Sequence, residues 1–235
     1  MQCTIQLAIA HCTIDEMNTN YWCERWAKNE TGFHKDEINP HLQHFWPKLN
    51  LATGSRVFVP LCGKSRDMLW LRERGHEVIG VEISSLAIEA FFTENGLHAS
   101  VTKHGTFSIY QSNGFRLYCG DFFRLTPEDI SGVNAVFDRA SLIALPPSMH
   151  NAYAAHMQSI LPPGANTLLI TLSYPQHEMR GPPFSVNELE VRNLYEKTGQ
   201  VQLLHSADVL DNEPHFRNKG LSQLQENIFL VTHQL

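Results

Sequence analysis

The feature that most constrains this chain is a repeated change of hydrophobic period between residues 56 and 199. Arg56-Val57-Phe58-Val59 is a short run of the buried-strand type, and a helical pattern carrying Met68, Leu69 and Leu71 follows it from Ser65 to Gly75. Glu77–Glu82 is a second strand, and a helix with Leu86, Ile88, Phe91 and Phe92 follows, with Ser84 expected at its start and Gly96 at its end. Val133–Asp138, a helix over Pro147–Leu161, Thr167–Tyr174 and a helix opened by the capping box Ser185-x-x-Glu188 continue the alternation. Phe107–Gln111 and Phe115–Cys119 flank the hairpin signal Ser112-Asn113-Gly114, and Val201–Leu204 with Ile228–Thr232 reads as an antiparallel finish. Strands and helices alternating in this way predict an α/β doubly wound sheet with helices on both faces. Such sheets bind ligands at the carboxyl ends of their strands. The residues that matter are then the Leu61–Ser65 turn, Glu82, and Asp138-Arg139.

Upstream of the sheet, an aromatic helix from Asn18 carries Tyr21, Trp22 and Trp26, and Asn39-Pro40 starts a helix with the stripe Leu42, Phe45, Trp46 and Leu49. Residues 1–17 show no periodicity and are expected to be a disordered extension, with 18–235 forming a single domain. The first ten residues have a short apolar stretch but no basic residue before it, unlike a signal peptide. No apolar run nears the roughly 18–20 residues of a membrane span. Eighteen basic against 24 acidic residues give a net charge of −6, which argues against nucleic-acid or anionic-lipid binding. The five cysteines are widely spaced and form no C-x-x-C pair, the pattern of reduced cytosolic thiols. His41 and His44 lie three apart on a helix, but with no third ligand beside them they read as a solvated face, and no metal is expected. The chain is expected to be cytoplasmic.

Gly63-Lys64-Ser65 invites a phosphate-loop reading, but the motif needs a glycine five places before the second one, and that place is Phe58. The dinucleotide fingerprint is also missing, since Gly63 is the one glycine in the turn. Glu82 ends its strand where a carboxylate grips a ribose diol; a strand-end acid capping the next helix is the bland alternative. Ribose is common to adenosylmethionine and NAD, and the absent glycine fingerprint favours adenosylmethionine. Asp121-Phe122 would hydrogen-bond and stack on adenine, or simply pack the core. Asp138 could orient Arg139 or face the cofactor, and Arg139 could stabilise an anionic acceptor; a structural ion pair accounts for the same two residues. Trp22, Trp26 and Phe33 either pack the core or form a lid whose ring faces attract a sulfonium cation.

Taken together, Trp22-Cys23-Glu24-Arg25-Trp26, Thr31-Gly32-Phe33-His34, Val59-Pro60-Leu61-Cys62-Gly63-Lys64-Ser65-Arg66-Asp67-Met68, Gly75–Ser84, Asp138–Leu142 and Gly181-Pro182-Pro183-Phe184 resemble the thiopurine S-methyltransferase family. The Asn39-Pro40-His41-Leu42 stretch is similar to its bacterial members. The resemblance implies a class I methyltransferase fold with a mostly parallel seven-stranded sheet and an N-terminal helical lid. It implies S-adenosyl-L-methionine as cofactor, contacted by Trp26, Leu61, Glu82 and Arg139, with Asp121 and Phe122 near the adenine. Phe33, the Gly181–Phe184 loop with Pro183, and Arg139 would border the acceptor. A basic residue of the 211–221 region, with Arg217 the candidate beside His215 and Lys219, would help bind it. The implied acceptors are small molecules, thiopurines or aromatic thiols and selenium or tellurium oxyanion species, and the implied state is a monomer. A nicotinamide-dependent oxidoreductase and a non-catalytic adenosylmethionine-binding module are the rival readings.

Overall fold

A computed structural model describes residues 19–233, so the expectation for residues 1–17 lies outside the described residues. The chain builds one sheet in the order β3-β4-β5-β2-β1-β6-β7-β9-β8. Its centre is β1 (Arg56–Val59), β2 (Glu77–Glu82), β5 (Phe115–Cys119), β6 (Val133–Arg139) and β7 (Asn166–Ser173). These five pair in parallel, through β1 with β2 and β6, β2 with β5, and β6 with β7. The flanks are antiparallel: β3 (Ser100–His104) and β4 (Phe107–Ser112) beside β5, β9 (Gln225–His233) and β8 (Gly199–Asp208) beside β7.

Two expectations change here. The sheet has nine strands rather than seven, and its pairings divide equally between parallel and antiparallel rather than being mostly parallel. The unforeseen strand is β3, every residue of which is exposed, so no apolar alternation marks it. The β4–β5 hairpin turns where expected, on left-handed Asn113 (φ 44) and Gly114 (φ 85).

Period-two alternation feeds two cores. Phe58, Ile79, Val81, Val136 and Leu169 point to one face, where α5 (Pro147–Ile160) and α6 (Glu188–Tyr195) add Tyr153, Met157, Ile160 and Val191. Val57, Val59, Val78, Ala135, Phe137, Leu168 and Ile170 point to the other. There α2 (Pro40–Phe45), α3 (Asp67–Glu73) and α4 (Ser85–Glu94) contribute Leu42, Met68, Leu71, Ile88 and Phe91. The chain runs outward from β1 to β2 and then β5, and returns to β6 on the other side of β1. The strand order therefore reverses between β1 and β6, which puts the ligand crevice at their carboxyl ends. Among the described residues no helix is long and apolar enough to cross a membrane.

The caps are mixed. Asn39 starts α2 as expected, its side chain accepting from the N–H groups of His41 and Leu42. Ser84 sits at the start of α4 but makes no side-chain cap bond. The capping box is overturned: Asn187 caps α6, while the Ser185 hydroxyl donates to Tyr174 O at 2.7 Å and accepts from Tyr174 N at 3.0 Å, joining its loop to the end of β7.

Two tests follow from this packing. A methyl group on Gly80 would lie 2.8 Å from both Cys62 Sγ and Leu117 Cδ2. Gly80→Ala should lose about 1–3 kcal/mol in urea unfolding, and adding Cys62→Ala should recover part of it; an unchanged midpoint would refute the close approach. Asp138, near the end of β6, is buried, with Tyr153 Oη donating to one oxygen at 2.7 Å and the other oxygen without a hydrogen-bond partner among the described residues. Burial pushes this carboxyl from 3.8 up to about 6, against the opposing hydrogen bond from Tyr153. The folded carboxyl thus holds its proton where the unfolded one has released it, so the side chain's contribution to stability falls as pH rises through that window, by about 3 kcal/mol. Asp138→Asn lacks that titration, so its unfolding free energy relative to wild type should improve by about 3 kcal/mol between about pH 4 and pH 7. A difference that stays flat with pH would show that Asp138 titrates normally.

Candidate active site

Three strand ends meet at the switch point. After β1 the chain turns through Leu61 (φ 42) and Gly63 (φ 50), both left-handed. Leu61 is unusual there, since a side chain in this region costs energy that the surroundings must offset. The turn is held by Cys62 N donating to Val81 O at 2.9 Å, which joins the exit of β1 to β2. After β6, Ala140 is also left-handed (φ 63), and Ser141 Oγ donates to Pro60 O at 2.8 Å, joining the exits of β6 and β1.

Glu82 ends β2, buried at 5% exposure. One oxygen accepts the N–H of Gly63 and the other the N–H of Ser84, both at 2.9 Å. Burial pushes its carboxyl above the usual range, while the N–H groups of Ser84 and Gly63 pull the other way. A carboxylate has about four lone-pair positions, so two bonds leave acceptor capacity for a diol. Cys23 and Cys119 both direct Sγ at Ile83 O, at 3.9 and 3.8 Å. Burial, then the charge of Glu82, pushes both thiols up, Cys119 to about 11. They stay protonated at neutral pH and are weak nucleophiles there.

Trp26 lies over the turn. A methyl group on Gly63 would sit 3.0 Å from its Cζ2, so both the backbone conformation and the indole require glycine at this position. Phe33 packs edge-on to Trp22 and to Trp26, with centroids 5.4 Å away in each case, and is 36% exposed. Helix α1 (Thr19–Ala27) and the following loop thus cap the Gly63 turn as the lid reading expects. Trp26, Gly63 and Glu82 together make a cradle with an aromatic wall, a side-chain-free floor and a buried acceptor. It fits a molecule that joins a ribose to a sulfonium. Lys64, by contrast, donates both to Glu94 Oε1 at 2.7 Å and to Oε2 at 2.9 Å, so its ammonium is spent on α4.

Arg139 pairs with Asp67, not with Asp138: its Nη1 lies 3.3 Å from Asp67 Oδ2, and the guanidinium side chain is 21% exposed. Asp138 is instead occupied by Tyr153, which replaces the structural pair that the sequence left open. Phe122 is also placed differently from a stacking residue. Its ring is 3% exposed and stacked at 4.9 Å on Tyr153, so this position offers a ligand its backbone rather than its ring. Asp121 accepts the N–H of Phe123 with one oxygen, and its other oxygen has no hydrogen-bond partner among the described residues.

The acceptor-side candidates come from separate loops. Pro183 O accepts from Tyr174 Oη at 2.5 Å, and Phe184 N donates to Ile143 O at 2.7 Å, which sets the 181–184 loop against the turn after β6. Arg217 lies on α7 (Pro214–Asn218), exposed and paired with Asp211, and among the described residues no hydrogen bond or ion pair joins it to Arg139. Lys35 and Glu213, 3.5 Å apart, connect the lid loop to the start of that segment. His34, beside Phe33, is held below its usual pKa by burial, then by Lys64, with Arg139 adding to this and Asp36 and Glu94 opposing it. It is uncharged at neutral pH. Sequence reasoning assigned no role to Asp67, Ser65 or His34, although all three lie within the quoted motifs. An acid in the first turn of a helix is common, and nothing in the sequence marks this one as buried.

The sequence model of the family described as Thiopurine S-methyltransferase matches residues 17–234. A thiopurine S-methyltransferase from Nitrosospira multiformis is 53% identical over 215 residues, 92% of this chain and 98% of that one. One from Pseudomonas fluorescens is 46% identical over 215 residues, 92% and 99% of the two chains. In fold, the chain is similar to the Burkholderia thailandensis 1,6-didemethyltoxoflavin-N1-methyltransferase solved with bound S-adenosylhomocysteine. That match has a TM-score of 0.64 at 13% identity, covering 100% of this chain and 94% of that one. A SAM-dependent methyltransferase from Methanosarcina mazei gives a TM-score of 0.59 at 14% identity over 85% and 99% of the two chains. The nine-stranded sheet thus contains the class I methyltransferase arrangement, extended by the β3–β4 hairpin. The chain belongs to the thiopurine S-methyltransferase family, and its cofactor is S-adenosyl-L-methionine.

Proposed function

We propose that this methyltransferase acts on the sulfur of thiopurines or aromatic thiols, with selenium and tellurium oxyanion species as a second acceptor class, as a cytoplasmic, monomeric detoxifying enzyme. One observation carries the reading. A partly exposed guanidinium, Arg139, stands at the switch point, next to the turn that packs under Trp26. When bound, adenosylmethionine supplies an electrophilic methyl group and leaves as a neutral thioether, so no group is needed to stabilise the departing atom. The protein's tasks are then to hold, to orient and to exclude water.

Trp26, Leu61, Glu82, Asp121 and the backbone at Phe122 hold the cofactor, with Arg139 at the boundary between the two ligands. Phe33, Pro183 and Arg217 border the acceptor. Arg139 stabilises the anionic form of the acceptor before transfer, which keeps its sulfur nucleophilic. Aromatic thiols ionise near neutral pH, so no strong base is required, and positioning can contribute roughly 7–11 kcal/mol. His34, uncharged at neutral pH, adds no charge competing with Arg139. The intact cradle speaks against a binding module without activity, and family membership speaks against a nicotinamide enzyme.

A radiolabelled methyl-transfer assay over thiopurines, aromatic thiols, selenite and tellurite tests the reading; labelling of none of them would sink it. Arg139→Ala should lower kcat/KM for an aromatic thiol about 10–100-fold, the loss of one or two charge-assisted hydrogen bonds, while calorimetric cofactor affinity changes less than about twofold. Glu82→Gln should instead weaken cofactor binding about 10–100-fold. If both variants behave alike, the division of labour is wrong.

A further inference from the structure

We propose that Asp67 is a positioning residue for methyl transfer. It aims the Arg139 guanidinium at the acceptor and ties that aim to the segment where the lid joins the body of the enzyme. The inference rests on the reading of Arg139 as the acceptor-side cation.

Asp67 opens α3, and its side chain is 1% exposed. A carboxylate that deep is costly unless its oxygens are matched. Here three separate parts of the chain match them. Oδ1 accepts the N–H of Asn39 at 2.7 Å. Oδ2 accepts from Ser65 Oγ at 3.1 Å and from Arg139 Nη1 at 3.3 Å. Asp67's own N–H donates to Ser65 Oγ at 3.2 Å, which fixes the carboxylate to the turn after β1. Asn39 in turn caps α2 with its side chain. One buried acid therefore joins the exit of the lid segment, the cofactor turn and the end of β6.

A simple helix-start charge does not require this arrangement. The first turn of a helix favours an acid at the surface as readily as a buried one. What burial and shared ligation add is a fixed direction for Arg139. An arginine side chain carries large rotamer freedom, and holding it before the acceptor arrives removes that loss from binding. The bond to Asp67 is the one hydrogen bond the Arg139 side chain makes among the described residues. Most of its five donors are left for a ligand. The pair is also neutral overall, so acceptors are chosen by the geometry of the guanidinium rather than by a broad positive field.

The test compares wild type, Asp67→Asn, Arg139→Ala and the double variant as full chains, with an aromatic thiol as acceptor and adenosylmethionine as cofactor. Asn at 67 keeps an acceptor for the Asn39 N–H and removes the charge that holds Arg139. Expected are a rise of about tenfold in acceptor KM for Asp67→Asn, a calorimetric cofactor Kd within twofold of wild type, and a double variant no worse than Arg139→Ala alone. A merely structural role would weaken cofactor binding too, or multiply with Arg139→Ala, and either result overturns the proposal. So does an unchanged acceptor KM in Asp67→Asn when Arg139→Ala raises it. If Arg139→Ala leaves the acceptor KM unchanged, the reading of Arg139 itself fails, and the role of Asp67 fails with it. Should Asp67→Asn not fold, Asp67→Glu, which keeps the charge but displaces it by one methylene, should raise acceptor KM with cofactor Kd unchanged. An unaltered KM there overturns the proposal as well.

Discussion

The ligand-facing end of the sheet depends on the buried carboxylate of Glu82. Its two oxygens take the N–H groups of Gly63 and Ser84, one from the turn after β1 and one from the start of α4. Both donors are buried, and an unmatched buried N–H costs about 1–3 kcal/mol. Removing this side chain would therefore orphan two backbone groups and release two strand exits from each other. Ser84 starts α4 without a side-chain cap, and its own N–H donates to Glu82. Cys62 packed on Gly80 holds the turn from below, and Trp26 covers it from above.

A second buried carboxylate, Asp67, lies just beyond the same turn. Gly63-Lys64-Ser65 is thus bracketed by two acids, and its lysine is turned away to Glu94. With its lysine engaged, this turn presents no ammonium to a phosphate, whatever its resemblance in sequence to a phosphate loop. It suits hydroxyl donors and a cation instead, and adenosylmethionine carries both.

The parts legible in the sequence are those with a local cause. β1, β2, β6 and β7 are buried on both faces, so their apolar runs stand out, and Asn39-Pro40 and Asn113-Gly114 carry their caps and turns in their own chemistry. The edges were harder to read. β3 is wholly exposed, and only the Val201–Leu204 stretch of β8 carried a signal, although the strand spans Gly199–Asp208. Ser185-x-x-Glu188 has the right spacing for a capping box, but tertiary contact with Tyr174 outcompetes it. The partner of Arg139 was illegible for a different reason. Asp67 lies 72 residues earlier, whereas the adjacent Asp138 offered a nearer explanation. Phe122 looked like a stacking residue because of its place after a strand, and only the position of Tyr153 shows where its ring is used.

The two sides of the site are held by forces of different strength. The cofactor side rests on buried bonds: Glu82 with two N–H groups and Ser141 with Pro60 O. The lid loop and α7 are fastened by contacts nearer solvent, such as Lys35 with Glu213 and Arg217 with Asp211, and pairs of that kind are worth about 0–1 kcal/mol. Phe33 adds edge-on contacts while remaining 36% exposed. The lid loop is therefore held to the body less firmly than the Glu82 turn is. Loops outside the sheet can also change residue by residue without disturbing it.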